Sequence, residues 1–210
     1  MEGDGAEPQE DSNTLARRGA SLLAASKQVP LTSQSQLQKC MQKSWQGTVT
    51  AVSKWTQWQA TVRENQPVLL LALPHADGTG SKLSLEISGD VIQSIFIDSR
   101  YVCPNSKVPP IVLLLGCDVV NVASTEAYAR NIAIFREANA AIVLGTVATV
   151  LGADAANIAG KLVTKLSDTA KVSGVRFGEI LRRTKREAVA ESVMMAMCLV
   201  AFGDADWYLK

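Results

Sequence analysis

Residues 109–118 read Pro109-Pro110-Ile111-Val112-Leu113-Leu114-Leu115-Gly116-Cys117-Asp118. An unbroken aliphatic run, opened by a proline pair and closed by glycine, is the strongest strand signal in the chain and is too uniformly apolar for a strand with one wet face. It predicts a parallel strand covered on both sides. Val68-Leu69-Leu70-Leu71-Ala72-Leu73 upstream and Ala141-Ile142-Val143-Leu144-Gly145-Thr146 downstream have the same texture. Helical spacing of Tyr128, Ile132 and Phe135 marks Ser124 to Ala138, and an alanine-rich helix through Ala153 to Leu166 follows the third run. Strand, helix, strand, helix in short order predicts right-handed βαβ units on one mostly parallel sheet, a doubly wound α/β fold.

Outward from this centre, Leu83, Leu85 and Ile87 alternate with Lys82, Ser84 and Glu86, predicting a strand with one exposed face. Gly89-Asp90 then turns toward Val91–Ile97, making a small antiparallel excursion. Phe177 to Ala196 reads as a helix with a basic middle at Arg182, Arg183, Lys185 and Arg186, and Cys198–Phe202 as a last short strand. On the N-terminal side, residues 1–13 read as a disordered acidic leader and residues 14–27 as a short helix around Leu15, Leu22 and Leu23. Gln28–Ser35 reads as a linker, and Gln36 to Arg63 as a second helical region carrying Trp45, Trp55 and Trp58. The step from Trp55 to Trp58 places two rings on one helix face, a stripe expected to dock on the following domain. The chain thus divides into a leader with a helical extension, 1–66, and an α/β domain, 67–210.

Composition narrows the function classes. With 47% hydrophobic and 20% charged residues, the chain has enough apolar surface to fold. A net charge of +1 supplies no general field for a phosphate backbone, so nucleic acid is not an expected partner. The N-terminus lacks the pattern of a secretory signal and no apolar run reaches membrane-spanning length, so no membrane association is expected and the cytoplasm is the expected compartment. Cys40, Cys103, Cys117 and Cys198 are widely spaced, with no Cys-x-x-Cys unit and 1 histidine in the chain. Reduced thiols are therefore expected, and neither a metal site nor a cofactor. Asp77, Asp98, Asp118, Asp204 and Asp206 lack a spacing that would join them around magnesium and read as solvated loop residues. The basic run at 182–186 has no interleaved aromatic residues and reads as a solvated helix face. There is no G-x-S-x-G elbow, Walker A loop or G-x-G-x-x-G.

Two residues stand out by position. His75 follows the Val68–Leu73 run, within Pro74-His75-Ala76-Asp77-Gly78-Thr79-Gly80, a loop by its proline and glycines. Cys117 ends the Ile111–Leu115 run. In an open α/β sheet the carboxyl ends of parallel strands share one edge, so the two meet if their strands are near neighbours. A following helical segment favours a thiolate at Cys117, and Gly116 lets another backbone approach closely. The competing reading of Cys117 is a small buried hydrophobe.

Leu70-Leu71-Ala72-Leu73-Pro74-His75 resembles the histidine strand of the CHAT domains, caspase-like cysteine peptidases of the clan that includes caspases and separase. Ile111 to Asp118 resembles their nucleophile strand, and Phe135–Thr146 and Phe202–Leu209 fit in order and spacing. The resemblance covers about residues 67–210. It implies a caspase-like three-layer α-β-α fold with a mostly parallel central sheet, and a cysteine endopeptidase acting on a protein or peptide substrate. Cys117 would attack the scissile carbonyl, and His75 would donate a proton to the leaving amine or help polarise the carbonyl. Backbone amides near Cys117 and Gly78 would stabilise the oxyanion; Ala76 stands where many members carry glycine. Family members often sit beside sensor or repeat domains, which implies a regulatory or sensor protein as activating partner. A noncatalytic caspase-like interaction module is the alternative.

Overall fold

The structure is a computed structural model and describes residues 14–15, 19–77, 83–105, 108–116, 133–148, 150–169, 174–203 and 207–209. Its centre is a six-stranded sheet built from β2 (Ser21–Ala25), β3 (Val49–Ala51), β4 (Leu69–Leu73), β8 (Ile111–Leu114), β9 (Ile142–Thr146) and β10 (Leu199–Gly203), in the order β10-β9-β8-β4-β2-β3. All neighbours are parallel except β10, which runs antiparallel to β9. A separate three-stranded antiparallel sheet holds β5 (His75–Asp77), β6 (Ser84–Ile87) and β7 (Asp90–Gln93). β1 (Thr14–Leu15) pairs in parallel with β11 (Tyr208–Leu209), joining the two ends of the described chain.

The aliphatic runs are explained by what covers the sheet. Leu69, Leu71 and Leu73 point with Leu113 and Leu144 into one apolar layer beneath α1 (Leu31–Ser44), α4 (Gly152–Thr169) and α5 (Phe177–Ala190). Leu70, Ala72, Val112, Leu114 and Val143 point the other way, into a layer closed by α2 (Trp55–Asn65), the β6–β7 hairpin and Val102 of the short helix α3 (Ser99–Val102). Successive strand residues face opposite sides, so a strand in a three-layer sandwich needs an apolar residue at every position. The expected α/β architecture, with its mostly parallel central sheet, is the architecture found.

The N-terminal third departs from expectation. Ser21–Ala25 lies in the helix expected over 14–27, yet it is strand β2, buried along its length. Apolar residues crowd there because β2 sits between β4 and β3 with both faces covered, and a short continuous run does not distinguish a strand from a buried helix. The helix expected over 36–63 is two helices with β3 between them, and α1 starts at Leu31, inside the supposed linker. Because β2 pairs with β4 from Ser21↔Leu69 to Ala25↔Leu73, the sheet crosses the expected boundary at 66/67. Residues 19–66 are therefore an integral part of the α/β fold, and residues 1–13 lie outside the described residues.

The tryptophans are buried as expected, but on opposite faces. Trp45 packs under α1 and donates its indole N–H to the Gly19 carbonyl at 3.0 Å. Trp55 and Trp58 fill the other layer, ring centroids 5.6 Å apart, donating to the carbonyls of Leu85 at 3.0 Å and Tyr101 at 2.8 Å. Each ring thus buries a large apolar area with its one polar atom satisfied.

Further on, the predicted helix over 177–196 stops at Ala190. Ser192 adopts φ 64°, a left-handed conformation that ends the helix, and a 3₁₀ segment at Met194–Cys198 leads into β10. The expected helix at 124–138 lies mostly outside the described residues; within them, 133–137 are helical.

Deleting residues 1–66 should abolish the cooperative thermal transition, because it exposes the β4 edge and removes Met41, Trp45, Trp55, Trp58 and Val62 from both apolar layers. Circular dichroism melting of the full chain and of residues 67–210 makes the comparison. An unchanged transition in the shorter chain would contradict the shared core.

Candidate active site

The carboxyl ends of β2, β4, β8 and β9 share one edge of the main sheet, as their parallel pairing requires. The chain leaves β2 toward β3 on one side and later returns to β4 on the other, so strand order reverses between β2 and β4. A crevice at such a reversal is where open α/β sheets place ligands. Ser26 follows β2 there and His75 follows β4, with the Ser26 amide donating to the Leu73 carbonyl at 2.8 Å.

His75 does not lie in a loop, as its glycine-rich neighbourhood suggested. Pro74 has no N–H to continue the ladder, and after it the chain enters the second sheet with His75 as the first residue of β5. His75 is half-buried, and its Nδ1 is enclosed, with no hydrogen-bond partner among the described residues. A buried ring nitrogen ordinarily has a hydrogen-bond partner.

The strand that leads toward the candidate nucleophile is described as far as Gly116. β4 and β8 pair in parallel from Leu69↔Ile111 to Ala72↔Leu114, and the Leu115 amide donates to the Ala72 carbonyl at 3.0 Å. Counting on from Ala72 reaches His75, and counting on equally from Leu114 reaches position 117. Cys117 itself lies outside the described residues, as do Gly78, Asp118, Asp204 and Asp206.

Two polar residues at this edge were not singled out from the sequence. Glu86 stands opposite His75 across the β5–β6 pair. Its alternation with leucines predicted an exposed face, yet it is 8% exposed. It accepts hydrogen bonds from Ser26 Oγ and the Gly89 amide, and from the Lys27 amide at 3.4 Å. Ser88 adds a second tie, its amide and hydroxyl donating to the Ala25 carbonyl at 2.9 and 3.2 Å. The buried carboxylate therefore clamps the small sheet carrying His75 to the end of β2. Thr146, the last residue of β9, is fully buried and donates from Oγ1 to the Gly116 carbonyl at 2.6 Å. Its only sequence signal is a hydroxyl ending an apolar run, where the strand's own ladder stops.

The remaining candidates sit elsewhere. Cys40, Cys103 and Cys198 are free thiols. Cys40 faces the Gly160 carbonyl at 3.7 Å and Thr164 Oγ1 at 3.5 Å, in a cleft of about 760 Å³ between α1 and α4 whose lining includes neither His75 nor Thr146. Arg182 and Arg183 of the basic stretch bind Glu179 at 2.8 and 2.6 Å, and these guanidiniums hold its carboxyl down at about 2. Lys185 donates to the Leu199 carbonyl at 2.6 Å. Asp98 caps α3 through the Arg100 amide and also accepts from the Arg100 guanidinium, which lowers its pKa. Among the described residues, no three His, Cys, Asp or Glu side chains cluster as metal ligands, and no helix is long and apolar enough to cross a membrane.

Solved structures share this fold. The crystal structure of the Arg-specific cysteine proteinase gingipain R matches with a TM-score of 0.62 at 10% identity, over 91% of this chain and 47% of that one. The fold is caspase-like. The Saccharomyces cerevisiae separase–securin complex matches with a TM-score of 0.56 at 16% identity, over 93% of this chain and 12% of that one. The drICE structure matches with a TM-score of 0.53 at 11% identity, over 95% and 96% of the two chains. The chain thus spans about an eighth of the separase-complex chain and about half of gingipain R. No family model matches the sequence, and no curated protein does.

Glu86→Ala should destabilise the protein by about 2 kcal/mol or more, since it strands the Ser26 hydroxyl and the amides of Lys27 and Gly89 in a buried setting. Urea unfolding measures this; Glu86→Gln, which keeps an acceptor oxygen, should lose less. Equal stability of Glu86→Ala and wild type would contradict the clamp.

Proposed function

We propose that this chain is a cysteine endopeptidase of the CHAT type, with Cys117 as nucleophile and His75 as its acid–base partner. The observation that carries the reading is the parallel β4–β8 pairing, which leads one strand into His75 and its neighbour, in equal steps, toward position 117. The enclosed Nδ1 of His75, without a partner among the described residues, adds to it, as does a fold shared with cysteine proteinases.

The chemistry follows from those positions. The Cys117 thiolate attacks the scissile carbonyl carbon, and the carbonyl electron pair moves onto oxygen, where backbone amides at Cys117 and Gly78 receive it. As the tetrahedral species collapses, the C–N bond breaks and His75 delivers a proton to the departing amine, leaving a thioester on Cys117. Water then attacks the thioester with His75 as base, releasing the acid and restoring the thiol. Imidazole suits both transfers because it exchanges a proton near neutral pH. The substrate is a protein or peptide, the compartment cytoplasmic, and a regulatory or sensor protein governs access to the site.

Iodoacetamide near neutral pH should alkylate Cys117 faster than Cys40, Cys103 or Cys198, as read by peptide mass mapping. Cys117→Ala should abolish cleavage of any peptide that the wild type cuts, and His75→Ala should lower turnover by about 10²-fold or more. A Cys117 no more reactive than the other thiols, in a folded chain that cuts nothing, would favour a noncatalytic interaction module. Full cleavage by folded Cys117→Ala would overturn the mechanism.

A further inference from the structure

We infer that Glu86 is a positioning residue for His75: its buried carboxylate fixes the strand that His75 opens against the end of β2. Its catalytic meaning rests on the reading of His75 as acid–base partner; the positioning itself does not.

β5 is the outer strand of the small sheet, and its ladder among the described residues is with β6. His75 therefore stands where β6 puts it. Directly opposed residues of an antiparallel pair project their side chains to the same face, with Cβ atoms about 4.5–5.5 Å apart. The pairing His75↔Glu86 thus sets imidazole and carboxylate on one face. The carboxylate turns to three donors there: Oε2 accepts from Ser26 Oγ, and Oε1 from the Gly89 amide and, at 3.4 Å, from the Lys27 amide. The Ser26 end of this joint is itself held. Ser26 Oγ accepts from the Gln28 amide at 3.0 Å, and its carbonyl accepts from the Val29 amide at 3.1 Å and from Gln34 Nε2 at 3.2 Å.

Other contacts hold the hairpin to α2: Trp55 Nε1 donates to the Leu85 carbonyl at 3.0 Å, and the Trp55 amide to Asp90 Oδ2 at 2.6 Å. Those ties seat the hairpin in its apolar layer. Glu86 and Ser88 carry it to the strand ends, and of the two it is Glu86 that lies opposite His75. A buried carboxylate facing three donors satisfies them all in one arrangement, so β6 has little freedom to slide or tilt, and the imidazole inherits that order. Glu86 does not need to touch substrate to act; it acts through the placement of His75.

The test uses the full chain with Glu86→Ala, Glu86→Gln and Ser26→Ala, and with Val163→Ala as a control that opens a cavity beneath α4, in the opposite apolar layer. The chain has 1 histidine, so the imidazole Cε1–H resonance in proton NMR reports on His75 alone. It is read at the high-pH plateau of its titration, where melting shows the variant folded. The resonance should shift in Glu86→Ala and Ser26→Ala, shift less in Glu86→Gln, which keeps an acceptor oxygen, and stay in place in Val163→Ala. Ser26→Ala keeps the carboxylate and removes one of its ties, so a shift there reads position rather than charge. On any peptide that the wild type cuts, Glu86→Ala and Ser26→Ala should lower kcat by about tenfold or more with KM held, as a misplaced acid–base group does. If Glu86→Ala unfolds the chain, Ser26→Ala and Glu86→Gln make the same comparison. A resonance unmoved by Ser26→Ala, or moved as far by Val163→Ala, would overturn the inference, as would a shifted resonance with kcat unchanged. A folded wild type that cuts no peptide would refute the peptidase reading alone, because the resonance judges the positioning independently.

Discussion

The parallel pairing of β4 with β8 is the constraint on which the rest depends. It lies in the interior of the sheet, with β2 flanking it on one side and β9 on the other, and every side chain along it is apolar and buried. A shift of one residue would send Leu70 and Ala72 into the layer that holds Leu69 and Leu71, so both layers enforce the register. That register decides which residues emerge together at the carboxyl edge. The functional reading is therefore a consequence of core packing.

Around this centre the edge is held by polar contacts of a different kind. Glu86 joins the His75-bearing sheet to the end of β2, and Thr146 joins the end of β9 to the last described residue of the β8 run. Both are side-chain substitutes for backbone ladders at the points where the ladders stop. Buried polar groups so arranged specify one geometry, since any alternative leaves them without partners. A site on such an edge is held by rigid elements even though its reacting groups follow the strands.

Much of the fold was legible in the sequence because its signals are local. The runs at Leu69–Leu73, Ile111–Leu114 and Ile142–Thr146 carry the both-faces-buried signature, and a helix through 153–166 is what α4 provides. The misreadings have a shared cause. Ser21–Ala25 is a strand because β4 and β3 lie beside it, a fact no local pattern contains. Glu86 looks like a solvent-facing partner of alternating leucines, yet it is buried and bonded by Ser26, Lys27 and Gly89. At the site, the placement of His75 at a strand end was readable from proline and the aliphatic run before it, whereas Thr146 and Glu86 act through contacts 30 and 60 residues distant in sequence.

The β4–β8 register is described up to Ala72↔Leu114, and His75 and Cys117 are proposed to lie near one another beyond it. Disulfide trapping tests that placement directly: His75→Cys is made in a chain whose Cys40, Cys103 and Cys198 are replaced by alanine, then oxidised mildly and mapped by mass spectrometry. A disulfide requires Cα atoms about 4.4–6.8 Å apart. The account predicts rapid, intramolecular formation of a 75–117 disulfide in the folded protein. A folded chain in which both thiols stay free, or cross-link only between molecules, would contradict it.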